Sequence, residues 1–95
     1  MIDELRRRID VIDEQLVALL NTRAACAIEI GRLKRERGLP VYRPEREAAV
    51  VRRARAITSG LGGPLTEDAI SRLFERIIDE ARQLEVGGGS AGADL

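Results

Sequence analysis

The sequence predicts an all-α protein with three helices in each chain, one long, one short and one of medium length. Apolar residues in the first third recur at alternating spacings of three and four, which is the pattern of a helix that packs along a seam. No segment shows the period-two alternation that is typical of a half-buried strand. One Phe, one Tyr and no Trp among 95 residues indicate an aliphatic core.

The first helix is predicted to run from about residue 2 to Arg37, where Gly38 ends it. At ~1.5 Å per residue it is roughly 50 Å long, whereas a compact chain of this size has a radius of gyration near ~12–13 Å. Such a helix cannot bury its seam within one chain, so we expect a dimer. The seam positions are Ile2, Leu5, Ile9, Ile12, Leu16, Leu19, Arg23, Cys26, Ile30 and Leu33.

Two further helices are predicted in the second half of the chain. The second runs from about Pro44 to Ile57, because a proline suits a first helical turn and the segment SGLGGP (59–64) predicts a loop. The third begins at Thr66, an N-cap residue that two acidic residues follow. Its apolar stripe comprises Ile70, Leu73, Phe74, Ile77, Ile78, Ala81 and Leu84.

The organisation of the chain is simple. We assign residues 1–86 to one domain and residues 87–95 to a flexible, glycine-rich tail. The sequence has no signal peptide and no apolar run that could span a bilayer. The single cysteine, Cys26, forms no internal disulfide. We therefore expect a cytoplasmic protein.

Composition excludes several classes of function. Sixteen basic residues balance sixteen acidic ones, so no global field attracts nucleic acid or an anionic membrane. Histidine is absent and there is one cysteine, which argues against a zinc site and against Ser/His or Cys/His catalysis. We expect neither a metal nor another cofactor.

Charged residues at positions that should be apolar are the candidates for function. Arg23 occupies a seam position, where a buried guanidinium needs an anionic companion. Lys34 follows it by eleven residues, which is ~20° past three full turns, so both share a face ~16 Å apart and can converge on one small anion. Arg46 and Glu47 begin the second helix, and Glu85 extends the apolar stripe of the third.

Each candidate alone also has a purely structural explanation. Arg23 can set the register of a helix pair, and Lys34 can belong to a solvated helix end. Arg46 and Glu47 can form a surface ion pair of little energetic consequence. Glu85 can lie in a frayed, wet helix end. No single residue decides between these explanations and a ligand site.

Taken together, the residues resemble a known family. The run LRRRIDVIDEQLVALLNTRAACAIEIGRLKRERGLPVYRPERE and the later ISRLFERIIDEARQLE resemble the AroQ-class chorismate mutases over roughly residues 3–85. The Leu-Arg near the start, the mid-helix Arg, the Gly-x-x-Lys and the Pro-x-Arg-Glu follow in the order of the family. The resemblance implies an intertwined all-α homodimer that rearranges chorismate to prephenate, the branch step toward phenylalanine and tyrosine.

The resemblance also implies which residues act. Arg6 matches an arginine that family members lend to the partner chain, where it binds a substrate carboxylate together with Arg23. Geometry agrees, because Arg6 precedes Arg23 by seventeen residues on one helix, or ~25 Å, too far for both to grip one small molecule. The residues implied to be catalytic are Arg6, Arg23, Lys34 and Glu85, and those implied to bind substrate also include Arg43, Arg46, Glu47 and Ala81.

The implied reaction is a [3,3] sigmatropic shift within one molecule, which needs no nucleophile, proton transfer or metal. An enzyme assists it by holding the reactive conformer and by stabilising charge on the breaking ether oxygen. Lys34 is the implied donor to that oxygen, Glu47 accepts from the ring hydroxyl, and Arg46 adds positive potential. Glu85 faces the ether oxygen and can donate only when protonated, so we expect activity to rise as the pH falls toward ~5.

Two residues depart from the family pattern. Many members carry a serine where this chain has Ala81, and the loss of its hydroxyl predicts weaker binding of the ring carboxylate or an altered substrate. Arg43 stands where an acidic residue is common. The family contact at that place is largely made by the main chain, so we expect little effect.

Three other functions remain open at this point. The chain could be a mutase for 4-amino-4-deoxychorismate, in which Glu47 would face an amine, or an isochorismate pyruvate-lyase. It could also be a non-catalytic helical module that regulates another protein. A shikimate-pathway enzyme is the partner that the resemblance suggests, and binding it could coexist with catalysis.

Overall fold

The structure, a computed structural model, describes residues 1–87, and these residues form three helices. Helix α1 spans Ile2–Glu36, α2 spans Pro44–Leu61 and α3 spans Glu67–Gly87. Their lengths of 35, 18 and 21 residues confirm the predicted long, short and medium helices and the all-α class. The predicted flexible tail lies, apart from its first residue, outside the described residues.

Helix α1 ends as the sequence predicts, at a glycine in the left-handed region. Gly38 has φ +67°, and its N–H donates to the carbonyl of Arg35 at 3.2 Å. The N–H of Leu39 donates to the carbonyl of Lys34 at 2.8 Å. This pair of bonds is a Schellman motif, which closes the helix and turns the chain back. The turn brings the segment before α2 alongside the last turn of α1.

Helix α2 is longer than predicted. It continues past Ile57 for one more turn, so the prediction of a loop was wrong over residues 59–61. Ser59 and Gly60 are poor helix formers, but one final turn tolerates them. The helix stops at Gly62, which takes φ +65° and donates its N–H to the carbonyl of Thr58 at 3.2 Å.

Helix α3 begins as predicted and joins the other two. The Thr66 hydroxyl accepts a hydrogen bond from the N–H of Ala69 at 3.0 Å, which caps the helix. Near this end, Arg55 of α2 donates to Asp68 at 3.0 Å and to the Ser71 hydroxyl at 2.6 Å. Helix α3 packs along both α1 and α2, whereas α1 and α2 make few contacts with each other. The buried apolar side chains of the described segment are Ala27, Ala54 and Ile78.

The first two thirds of α1 extend away from this packing. Residues 1–22 are all exposed, including the seam side chains Ile9 and Leu16, which are 54% and 50% exposed. The Cα radius of gyration is 16.2 Å, well above the ~12–13 Å of a compact chain of this length. A single chain therefore leaves the predicted seam unpacked. None of the helices in residues 1–87 is long and apolar enough to cross a membrane.

The tightest contact of the chain lies at the other end of α1. A Cβ on Gly31 would lie 2.8 Å from the carbonyl oxygen of Glu85 and 3.0 Å from its Cα, so only a glycine lets α3 approach this closely. The Arg35 guanidinium donates to the same carbonyl at 2.7 Å. These two contacts fix the last turns of α3 against the last turns of α1.

We expect Gly31→Ala to lower the free energy of unfolding by about 1–3 kcal/mol, because the added methyl group must displace the α3 backbone. Gly60→Ala is the matched control, since its Cβ would meet open space within a helix, and it should leave stability unchanged or raise it by up to about 1 kcal/mol. Urea unfolding at one protein concentration measures both. Equal stabilities for the two variants would contradict the close approach of α3 to Gly31.

Candidate active site

A cavity of about 230 Å³ opens where the C-terminal halves of α1 and α3 meet the start of α2. This volume is small for a ligand pocket and suits a small metabolite better than a peptide. The apolar side chains that line it include Ile30, Val41, Val50, Ile78 and Ala81. The charged ones are Arg23, Lys34, Arg43, Arg46, Glu47, Arg82 and Glu85.

The cavity has an excess of positive charge although the whole chain is neutral. Five of the charged lining residues are cationic and two are anionic, whereas the sequence has sixteen of each sign. Helix crossing produces this imbalance, since the cations come from α1, α3 and the start of α2. The local field therefore favours a small anion.

Lys34 and Glu85 lie together at one side of the cavity. The Lys34 ammonium donates to the carbonyl of Val41 at 2.9 Å and lies 3.6 Å from Oε2 of Glu85. The two side chains are only 19% and 18% exposed. A solvated helix end for Lys34 and a frayed end for Glu85 are therefore both wrong. The turn at Gly38 supplies the Val41 carbonyl, and the close approach at Gly31 supplies Glu85.

Arg23 lies half-buried on the cavity wall. The sequence predicted an anionic companion for it, but within residues 1–87 no side chain or carbonyl pairs with its guanidinium. No anionic companion is thus present among the described residues, and a companion from a ligand or another chain stays a prediction. Because a half-buried guanidinium retains strong donors, Arg23 is available to an anionic ligand or to another chain.

Arg46 and Glu47 line the same cavity, but they do not pair with each other. Glu47 instead accepts two bonds from Arg82 of α3, with Nη2 at 2.6 Å from Oε1 and Nε at 2.9 Å from Oε2. A surface ion pair between Arg46 and Glu47 is thus wrong. Arg46 is exposed and, in the part of the chain that is described, has no side-chain partner.

Arg82 is the residue that the sequence analysis missed. Besides its two bonds to Glu47, it donates to Asp79 at 3.0 Å, and its guanidinium lies 5.3 Å from the centre of the Tyr42 ring. The sequence did contain a signal, because Arg82 follows the core residue Ile78 by four positions and so shares its helix face. The partner of that arginine depends on how α2 crosses α3, which periodicity does not reveal.

These bonds perturb the titration of Glu47. The hydrogen bonds from Arg82 hold the pKa of Glu47 below its ordinary value, burial opposes this, and the charges of Arg82 and nearby Lys34 lower it further. The same pair raises the pKa of Arg82. Glu47 is therefore ionised throughout the neutral range.

The remaining predicted residues fall into two groups. Arg43 and Ala81 line the cavity, and the Arg43 guanidinium is held by Glu45 at 2.6 Å. Arg6 lies in the exposed first part of α1, where its side chain is 75% exposed and 4.0 Å from Asp3. It does not line the cavity of its own chain. A contribution of Arg6 to a partner's cavity stays a prediction.

Three helices around a cationic cavity define a domain that suits a small anionic metabolite. The chain belongs to the chorismate mutase type II family, whose model matches residues 5–86. This membership confirms the resemblance that the sequence analysis identified.

Individual relatives agree with the family assignment. The chain is 43% identical over 88 residues to the bifunctional chorismate mutase/prephenate dehydratase of Neisseria gonorrhoeae, and this match covers 88% of the chain but 23% of that protein. It is 37% identical over 73 residues to the T-protein of Haemophilus influenzae, a match that covers 75% of the chain and 19% of that protein. The chain thus spans about a quarter or less of the length of these curated relatives.

A solved structure is similar over almost its whole length. The chorismate mutase of Thermus thermophilus (Form II) superimposes with a TM-score of 0.80 at 34% sequence identity. The match covers 88% of this chain and 92% of that one. The arrangement of three helices is therefore that of a chorismate mutase.

We expect the Glu47–Arg82 pair to make stability depend on pH. Because the pKa of Glu47 is lowered in the folded chain, its stabilising effect is complete above the ordinary value of 4.5 and is lost as the pH falls through the lower folded value. The free energy of unfolding of the wild type should therefore fall more steeply between about pH 5 and about pH 3 than that of Glu47→Gln.

The double variant provides the control for this pH experiment. Arg82→Met should remove the same part of the pH dependence, and combining it with Glu47→Gln should remove no more. Unfolding by urea at each pH and at one protein concentration measures all four proteins. Identical slopes for the wild type and Glu47→Gln would contradict the role given to the ion pair.

Proposed function

We propose that this chain catalyses the rearrangement of chorismate to prephenate. The observation that carries the proposal is the cationic cavity of a chain in this family, which gathers Arg23 and Lys34 of α1 with Arg46 and Glu47 of α2. Chorismate carries two carboxylates and a ring hydroxyl. The excess of cations matches the carboxylates, and the anchored Glu47 matches the hydroxyl.

The reaction makes modest chemical demands on the protein. The bond that breaks and the bond that forms belong to one molecule, so the protein contributes by holding the reactive conformer. Negative charge develops on the ether oxygen as its bond to the ring lengthens, and a fixed donor stabilises that charge in the transition state. The cavity is lined by groups suited to both contributions.

Lys34 is the proposed donor to the ether oxygen. Its ammonium has three N–H groups, of which one donates to the Val41 carbonyl and another faces Glu85. The third remains for the substrate. Because the two protein contacts fix the ammonium before substrate arrives, little reorganisation is needed when charge develops.

Glu85 modulates that donor in the proposed mechanism. As a carboxylate it partly offsets the charge of Lys34, from which it lies 3.6 Å, and it cannot donate a hydrogen bond itself. As a neutral acid it donates to the ether oxygen alongside Lys34. A glutamine at this position would keep a donor at every pH.

Arg23 is proposed to bind one carboxylate of the substrate in the fork geometry that guanidinium groups favour. Arg46, whose side chain also has no partner in residues 1–87, adds positive potential at the start of α2, where the helix dipole favours anions as well. Arg43 and Ala81 also line the cavity in which the substrate is proposed to bind. Ala81 has no polar side-chain atom to offer, so the ring carboxylate depends on the cations and on main-chain donors.

We further propose that the active form is a homodimer with shared sites. The exposed seam along residues 1–22 and the radius of gyration of 16.2 Å support a second chain that packs against α1. In an antiparallel pairing, Arg6 of one chain approaches Arg23 of the other and supplies the second carboxylate contact. An enzyme of the same pathway is the proposed class of any further partner.

The direct test is to add chorismate to the purified chain and to follow the loss of its ultraviolet absorbance. We expect turnover without added metal or cofactor, and Lys34→Ala should lower kcat by at least ~10²-fold. Arg37→Ala is the matched control, because this cation lies three residues further on, is exposed and does not line the cavity. A rise in KM at unchanged kcat would instead show that Lys34 binds the substrate and the transition state equally well.

Subunit mixing tests the shared site. Arg6→Ala and Arg23→Ala chains should each be nearly inactive alone, yet a mixture that exchanges subunits should regain activity. Each mixed dimer has one site with both arginines, so about a quarter of all sites are intact after equal mixing. Lys34→Ala mixed with Arg23→Ala is the control, because both residues serve the same site and neither site of that dimer is complete. Equal recovery in the two mixtures would contradict the role of Arg6.

A further inference from the structure

Arg82 has no role in the resemblance or in the proposed mechanism, yet it makes the largest set of polar contacts in the cavity. It binds both carboxylate oxygens of Glu47, at 2.6 and 2.9 Å, and it donates to Asp79 at 3.0 Å. The Tyr42 ring covers its guanidinium at 5.3 Å. Four contacts on three sides hold this side chain in one place, so its charge is a fixed feature of the wall.

The fixed charge changes what Glu47 offers to a ligand. A carboxylate can accept about four hydrogen bonds, and Arg82 uses two of these positions. Glu47 can therefore still accept a bond from a neutral hydroxyl. Its negative charge, however, is balanced by the Arg82 guanidinium at hydrogen-bonding distance. The positive charge of nearby Lys34 makes the space beside Glu47 still less favourable for a cation.

A ligand that places a cationic group beside Glu47 would be bound less favourably than one that places a neutral hydroxyl there. Besides Glu47, the two cavities that it borders are lined by seven cations and three anions, with Tyr42 on the connecting segment. The cations are Arg23, Lys34, Arg43, Arg46, Arg72, Arg76 and Arg82, and the anions are Glu75, Asp79 and Glu85. An ammonium would gain little from the neutralised Glu47 and would be repelled by the cations. A hydroxyl has no such cost.

We propose that Arg82 determines substrate specificity: it keeps Glu47 as an acceptor for a neutral hydroxyl and excludes substrates that carry an ammonium group at the same position. The inference rests on the proposed function, because Glu47 must face the ring substituent of a chorismate-like dianion. In this proposal Arg82 discriminates between two substrate classes, the 4-hydroxy and the 4-amino compounds, which differ only in that ring substituent.

The test compares kcat/KM for chorismate and for 4-amino-4-deoxychorismate in the wild type and in Arg82 variants. The wild type should prefer chorismate. Arg82→Met keeps an apolar stem but removes the charge, and it should shift the ratio of the two kcat/KM values toward the amine by at least about tenfold. Arg82→Lys keeps the charge but loses the bidentate guanidinium, so its ratio should lie between those of the wild type and Arg82→Met.

Arg52→Met is the matched control, since this exposed arginine of α2 has no side-chain partner in residues 1–87 and lines neither of the two cavities that border Glu47. Its ratio should equal that of the wild type. A merely structural role for Arg82 would lower both kcat/KM values together and leave the ratio unchanged. For a variant with too little turnover, calorimetric Kd values of the two compounds show whether ground-state binding has shifted toward the amine.

The outcomes separate the two proposals. A wild type that converts neither compound contradicts the proposed function and, with it, this inference. A wild type that converts chorismate, with a ratio that stays within about threefold in Arg82→Met, overturns only the role of Arg82. A wild type that prefers the amine also overturns it. A tenfold shift in Arg82→Met with no shift in Arg52→Met supports it.

Discussion

The close approach of α3 to Gly31 of α1 is the contact on which the geometry of the cavity depends. It sets the distance between the last turns of the two helices and so places Glu85 at 3.6 Å from Lys34. The Schellman turn at Gly38 then returns the chain so that the Val41 carbonyl holds the same ammonium. Two glycines with no functional groups thus fix the cation that the proposed mechanism uses, and a larger residue at Gly31 would alter chemistry and stability together.

The charge of the cavity follows from partners as much as from residue types. Glu47 and Glu85 are each held by a cation, whereas Arg23 and Arg46 have no side-chain partner within residues 1–87. The carboxylates of Glu47 and Glu85 are therefore held in place by their cationic partners. The guanidinium groups of Arg23 and Arg46 remain available to a dianion in the cavity. The same division explains how a chain of zero net charge can attract an anion locally.

The sequence could predict the helices well because their signals are local. The apolar repeat that predicted α1, the glycine at position 38 and the Thr66 cap are all short-range features, and the helix, its end and the cap lie where they were predicted. The end of α2 could not be predicted, since one turn through Ser59 and Gly60 costs too little to stop a helix. The pairing of Glu47 with Arg82 was missed because those residues are thirty-five positions apart and meet only through the crossing of α2 and α3.

Active-enzyme sedimentation tests the central claim, that two chains together form a site that rearranges chorismate. A thin band of the protein sediments through a chorismate solution, and the local loss of ultraviolet absorbance reports the species that turns over. The account predicts that activity moves with a species of two chains, twice the single-chain mass of 10.5 kDa. Activity that moves with a single chain, or a band of folded dimer that consumes no chorismate, would contradict it.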